Sequence, residues 1–485
     1  MEVVFSDGTH EQYEDVPFSE GAQGAIFRSR DRKHVVKLFK APPNMPPAAV
    51  ARMVQDRNRQ IDAIIGKYNV VGNDPYWEAL FAWPLKRAVQ PRPGVSSRYV
   101  EGMTRLDNYF FGSSYSRLTP EQKGWWIGRL ACAIKMARAV ARLSTLGLCH
   151  SDLSEKNVFV DPLSGTATIL DCDSLVIPNE MPAEVLGTPE YMAPELQSGK
   201  VREPSVVTDR HALAVLLYRW LLFQHPLLGP KRHSTNAELD DNLALGANAL
   251  YIEHPTDTSN RPKHLQVTAE TLSPRVRDLF RRVFVEGLHN PALRPTADLW
   301  EEALSEMMDR VVPCGNPLCE QKFFVAPDVP PMSCPLCKTR FTAFPQLPYL
   351  KLRAPRPTRT GGYEYVDENA SFQGTPYNRY IVGYPGRPIY NWHVHPNVSL
   401  RVGQSGARTD SHNRGVIRYD TNRSEWFLEN IALPDLQARV GGADPASGGW
   451  SPVPLGSRVA LRPNTQLLLG QLNLDRIAYV EMKAV

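Results

Sequence analysis

The feature that most restricts this chain is a run of polar residues set between short apolar stretches. It reads His150-Ser151-Asp152-Leu153-Ser154-Glu155-Lys156-Asn157, then Val158-Phe159-Val160, and, fourteen residues after Asn157, Asp171-Cys172-Asp173 behind Ile169-Leu170. Before it, Trp125, Ile127, Leu130, Ile134, Ala137, Val140 and Leu143 recur at helical spacing. That pattern predicts one helix from about Glu121 to Gly147, opened by Thr119-Pro120 and stopped by Gly147. Asp152 can accept a hydroxyl proton, Asn157 can hold a metal ion, and Asp171 ends a short strand on another carboxylate. A turn-rich segment follows, Gly187-Thr-Pro-Glu-Tyr-Met-Ala-Pro-Glu195, closing on a carboxylate of a type that is buried.

The remaining chain sorts into modules. Its 485 residues suffice for about three domains, and 42% apolar with 22% charged residues excludes wholesale disorder. Residues 1–40 alternate apolar and polar positions around Gly and Asp turns, which predicts a small antiparallel sheet; helical periodicity takes over at Ala48–Lys67 and again through about Arg310. A sheet-rich start before a helix-rich body implies two lobes with a cleft between them. The longest apolar stretch, Ala212–Phe223, is broken by Arg219, and Met1–His10 has no basic-then-apolar order. No membrane span and no secretory signal are therefore expected, and a cytoplasmic address follows. The net charge of +4 is spread without a basic run, which argues against nucleic acid as a partner.

Ser19-Glu-Gly21-Ala-Gln-Gly24-Ala-Ile-Phe27 lies between two predicted strands, where small residues let backbone N–H groups approach phosphate. Ten residues beyond Phe27, Lys37 stands in the apolar strand Val35–Phe39. Alone, each reads as an ordinary turn and an edge-strand lysine. Together with the segments above, in this order, they resemble the eukaryotic-type protein kinase family over about residues 1–310. The resemblance implies an α+β, bilobal domain (N-lobe about 1–100, C-lobe about 101–310) that uses ATP and Mg²⁺ to phosphorylate protein substrates. It further implies a catalytic set of Asp152 as base, Lys37, Lys156, Asn157 and Asp171. Gly21, Gly24, Ile26, Lys37, Arg98, Val100, Asn157 and Asp171 would hold the nucleotide, with Asn157 and Asp171 as the Mg²⁺ ligands. Glu195 would pair with Arg294, and Asp209 would brace the catalytic loop. Thr188 implies Ser/Thr specificity.

Several positions depart from the family pattern. Ser151 replaces an arginine that normally receives an activation-loop phosphate, and Leu175–Gly187 holds no Ser, Thr or Tyr to carry one. A kinase that needs no activation-loop phosphorylation is expected. Lys156 stands four residues after the base, a spacing at which the resemblance implies that a positive charge near the γ-phosphate is kept. Asp173 occupies a glycine position, and Asp56 and Asp62 are the candidates to pair with Lys37. The competing reading is a pseudokinase adaptor that binds nucleotide and partners without catalysis.

Cys314 and Cys319, then Cys334 and Cys337, give two close pairs that can close a tetrahedral thiolate shell, a zinc ribbon over 311–345 with Zn²⁺ and with Phe323, Phe324, Phe341 and Phe344 around it. A Pro/Arg-rich stretch, 346–362, reads as a linker. Residues 363–485 show short strand-like runs and resemble, more faintly, a forkhead-associated (FHA) sandwich. That resemblance implies a phosphopeptide site using Arg401, Arg408, Ser411 and Arg414, while a plain protein-docking sandwich fits as well. Trp392-His-Val-His395 reads as a strand with both histidines on one face. The module order resembles bacterial kinases that accompany a von Willebrand factor A protein and a metal-dependent phosphatase, which would then be substrates or partners.

Overall fold

A computed structural model describes the chain except residues 22–23, 111–115, 178–179, 182, 184–185, 266, 373–374, 398–411 and 442–447. Two compact units result: residues 1–124, 128–263 and 280–300 form the first, and 125–127, 264–279 and 301–485 the second. Among the described residues no helix is long and apolar enough to cross a membrane.

The first unit begins with a seven-stranded antiparallel sheet. Its strands are β1 (Glu2–Phe5), β2 (His10–Gln12), β3 (Ser19–Glu20), β4 (Gly24–Arg28), β5 (His34–Phe39), β6 (Pro84–Gln90) and β7 (Gly94–Arg98), in the order β2-β1-β6-β7-β5-β4-β3. Alternation along β5 sends Val36 and Leu38 into the sheet's core with Val3, Phe5 and Phe27, which turns Lys37 to the opposite face. Helix α1 (Pro47–Ile65) starts on prolines, which need no N–H partner there, stops at Gly66, and buries Gln60, Ile61 and Ile64.

The helical body is built around Val206–Leu222, buried over thirteen of its residues, as an all-round apolar helix requires. The single helix expected over 121–147 is instead two pieces, Pro120–Lys123 and Trp126–Ser144. The break falls at Gly124, whose φ of +66° is left-handed and where a Cβ would lie 2.2 Å from that of Pro162. Helical periodicity cannot register such a close approach.

In the second unit two antiparallel sheets share one apolar core. Ile417, Trp426 and Leu428 come from one, and Leu350, Leu352, Leu467 and Val480 from the other. The linker expected at 346–362 is largely a strand. Gln346–Pro357 pairs with Ile477–Ala484 along one edge and with Tyr363–Asp367 and Tyr380–Val382 along the other. Each proline there removes a single donor, while Leu347, Tyr349, Leu350 and Leu352 are all buried, so burial outweighs the punctuation. The strand expected at Trp392–His395 is also corrected: Asn391–Val394 is a helical turn, held by the Tyr390 N–H donating to His393 Nδ1 at 2.9 Å. His393 bonds Asp309 at 3.0 Å and His395 pairs with Asp475, so the two rings serve different partners.

Inside Val206–Leu222 lies His211, fully buried with neither ring nitrogen hydrogen-bonded. Burial holds its imidazole well below the ordinary value of 6.5. Because the folded value is the lower one, its contribution is intact above about pH 6.5 and is lost as pH falls. His211→Leu is expected to raise the melting temperature, and to raise it more at pH 5.5 than at pH 7.5; thermal melts at the two pH values check this.

Candidate active site

The loop 149–157 is set by buried Asp209, on the first turn of Val206–Leu222. Its carboxylate accepts from the N–H groups of His150 (2.6 Å) and Ser151 (3.2 Å) and from the Cys149 thiol (3.2 Å). Burial raises its pKa against the pull of these donors. The bonds hold Ser151 at φ +64°, a conformation a serine does not choose alone. His150, also buried, reaches the carbonyl of Leu170 with Nε2 at 2.8 Å and ties the loop to the strand ahead of Asp171.

Asp152 is fully engaged. Its Oδ1 accepts from Thr188 N (2.8 Å) and Oγ1 (2.7 Å), and its Oδ2 from Asn157 Nδ2 (3.0 Å). Gly187 must be glycine for this: its φ is +115°, and a Cβ would lie 2.7 Å from the Ser151 carbonyl oxygen. Asn157 also donates to the Asp152 carbonyl at 2.8 Å, which leaves its amide oxygen as the atom that can meet a cation.

Antiparallel strands Val158–Asp161 and Thr166–Ile169 carry the chain to Asp171 at φ +56°, followed by a 3₁₀ turn, Cys172–Ser174. There Lys37 Nζ meets Asp171 Oδ1 at 2.5 Å and Asp173 at 3.2 and 3.5 Å. Burial works against the ammonium, but Asp173 and Asp171 outweigh it and hold Lys37 charged well beyond its ordinary range. Burial likewise raises both carboxyls. Lys37 brings Asp171 below its usual value, while deeper Asp173, also facing Asp171, stays above.

These groups line a cleft of about 420 Å³ together with Ile26, Arg98, Val100, Lys156 and Asn157. Apolar Met103, Phe159 and Leu170 line it too, and no sequence pattern pointed to them. Gly21 and Gly24 are not among the lining residues, and residues 22–23 between them lie outside the described set. A Cβ on Gly24 would come 2.7 Å from the Leu38 carbonyl oxygen, so strand packing accounts for that glycine. Of the helix carboxylates expected to meet Lys37, Asp56 pairs with Arg59 and Asp62 with Arg87, so neither supplies its partner. Glu195 and Arg294 form a two-point pair, 2.7 Å at each oxygen, with Arg294 completely buried and donating also to the carbonyls of Gly287 and Leu288.

In the second unit, the sulfur atoms of Cys314, Cys319, Cys334 and Cys337 lie within 4.8 Å of one another and can hold a metal ion. Of the residues expected at a phosphopeptide site, Arg401, Arg408 and Ser411 lie outside the described set.

Residues 129–306 match the protein kinase domain family, and the chain carries a protein kinase domain. It is 26% identical over 185 residues, 33% of this chain and 22% of the relative, to the serine/threonine-protein kinase pkn2 of Myxococcus xanthus. It is 39% identical over 90 residues (19% of this chain, 9% of the relative) to a dual serine/threonine and tyrosine protein kinase of Strongylocentrotus purpuratus. A serine/threonine-protein kinase of Arabidopsis thaliana is 29% identical over 113 residues, 23% of each chain. The chain thus spans less than a quarter of the length of these curated relatives.

Arg294→Met would strand the Glu195 carboxylate and is expected to cost about 3–5 kcal/mol in urea unfolding. Adding Glu195→Leu should return part of that loss, because the uncompensated charge is gone.

Proposed function

We propose that the chain is a serine/threonine protein kinase that transfers the γ-phosphate of Mg-ATP to protein hydroxyls. The observation that carries this is the convergence of Lys37 from the sheet with Asp171, Asn157 and Lys156 around one cleft, beside an ordered Asp152. Asp171 and the Asn157 amide offer hard oxygen donors, which suit Mg²⁺. Mg-ATP when bound supplies the phosphoryl group and the neutralising cation. Lys37 and Lys156 supply fixed positive charge, which matters most where transfer is chiefly positioning and charge balance. Asp152 takes the proton of the acceptor hydroxyl, oriented for it by Thr188 and Asn157. Thr188 on that carboxylate supports Ser/Thr acceptors, and Ile26, Arg98 and Val100 in the cleft lining are proposed to face the nucleotide, whereas Gly21 and Gly24 have that role from the family resemblance alone.

Independence from activation-loop phosphorylation is part of this reading. Within Leu175–Gly187 the Glu180 carboxylate accepts from the Tyr68 hydroxyl at 2.8 Å and from Lys67, both just past the end of α1. What supports it is that this segment holds no Ser, Thr or Tyr to carry a phosphate and Ser151 offers no receptor for one, while the exposed Glu180 already ties the segment to the end of α1.

The four cysteines are proposed to hold a structural Zn²⁺. Thiolates at ~2.3 Å from a tetrahedral ion stand about 3.8 Å apart. Cys314–Cys337 and Cys319–Cys334 are 3.6 and 3.8 Å apart. The C-terminal sheets are proposed as an FHA-like recognition module, with phosphopeptides, a von Willebrand factor A protein and a metal-dependent phosphatase as partner classes suggested by the module order.

Incubation with labelled Mg-ATP and a general protein substrate is expected to give phosphoserine or phosphothreonine, with the rate lowered roughly 10²–10⁴-fold by Asp152→Ala. Transfer undiminished in that variant would refute the reading. Elemental analysis should find one zinc per chain, and chelation should lower the melting temperature of the unit that holds it.

A further inference from the structure

The family resemblance leads one to expect a carboxylate from α1 against Lys37, and among the described residues the two α1 carboxylates face arginines instead. The buried polar side chain on that helix is Gln60, whose Nε2 donates to the Leu175 carbonyl at 2.8 Å, directly after the Cys172–Ser174 turn. Asp56 and Asp62 are committed to arginines. The second carboxylate on Lys37 is Asp173, two residues beyond Asp171.

From this arrangement we infer that Asp173 is the positioning residue for Lys37, standing in for a helix carboxylate; the inference rests on the nucleotide-site reading above. Asp173 touches Lys37 with both oxygens at 3.2 and 3.5 Å, and its side chain is only 10% exposed. Its backbone is in the 3₁₀ turn and has no positive φ, so nothing at this position calls for glycine and a side chain is accommodated. The turn directs it to the same ammonium that Asp171 contacts. When Asp171 serves a cation, Asp173 keeps a carboxylate against the largely buried ammonium, which offsets the cost of holding that charge away from water. Lysine anchor and cation ligand are thereby carried by one short segment, Asp171–Asp173, which α1 reaches through the Gln60–Leu175 hydrogen bond.

The test reads nucleotide binding, apart from turnover. A fluorescent ATP analogue is titrated, with and without Mg²⁺, into the full chain, its Lys37→Met, Asp173→Asn, Asp173→Gly and Asp173→Glu variants, and the Lys37→Met/Asp173→Asn double variant. Thermal melts verify folding; should Asp173→Asn fail to fold, Asp173→Gly carries the comparison. Loss of Asp173 is expected to weaken nucleotide binding roughly 10- to 100-fold, with Asp173→Glu restoring part. The double variant should bind no more weakly than Lys37→Met alone, since Asp173 acts through the lysine. Wild-type affinity in Asp173→Gly, or fully additive losses in the double variant, would overturn the assignment. Binding without transfer in the wild type would count against the catalytic reading and leave this inference standing.

Discussion

Three charges share one partly buried space where Lys37 meets Asp171 and Asp173, and the parts of the first unit around the cleft are arranged about that contact. An ammonium and two carboxylates drawn largely away from water are tolerated best as a mutually compensating group with fixed geometry. The geometry has two sources. Strand alternation in β5 fixes the lysine, and the hairpin Val158–Ile169 with its left-handed exit at Asp171 fixes the aspartates. Asp209 supports the arrangement from beneath, holding a strained Ser151 and, through His150, the backbone that leads into Asp171.

Those parts were legible in the sequence because their chemistry restricts residue type. The roles proposed for Asp152, Asn157 and Asp171 need a carboxylate or an amide and nothing of similar size replaces them, so these residues stand out without any knowledge of packing. The Glu195–Arg294 pair and the four clustered cysteines were readable for the same reason. The residues that match the family begin at 129, so the sheet bearing Lys37 lies outside that match and the lysine's place is given by the structure.

What the sequence hid is mostly a matter of contacts between distant segments. The helical pattern runs through Gly124 without a signal, and the break there follows from its left-handed backbone and the approach of Pro162. Asp173 was visible as an additional acid, but its contact with Lys37 spans 136 positions along the chain. In the C-terminal half, prolines at 348, 355 and 357 suggested a tether. Their neighbours Leu347, Tyr349, Leu350 and Leu352 belong to a core whose other members come from as far away as Val480.

That strand, Gln346–Pro357, has a practical consequence for dissecting the molecule. Severing the chain near residue 362, where composition invites it, would remove the inner rung between Ile477–Ala484 and Tyr380–Val382. The fragment that begins there would present two raw edges of unpaired amide and carbonyl groups, flanked by newly uncovered Ile381, Leu467 and Val480. Such a surface recruits other chains, and the fragment would report on self-association in place of recognition.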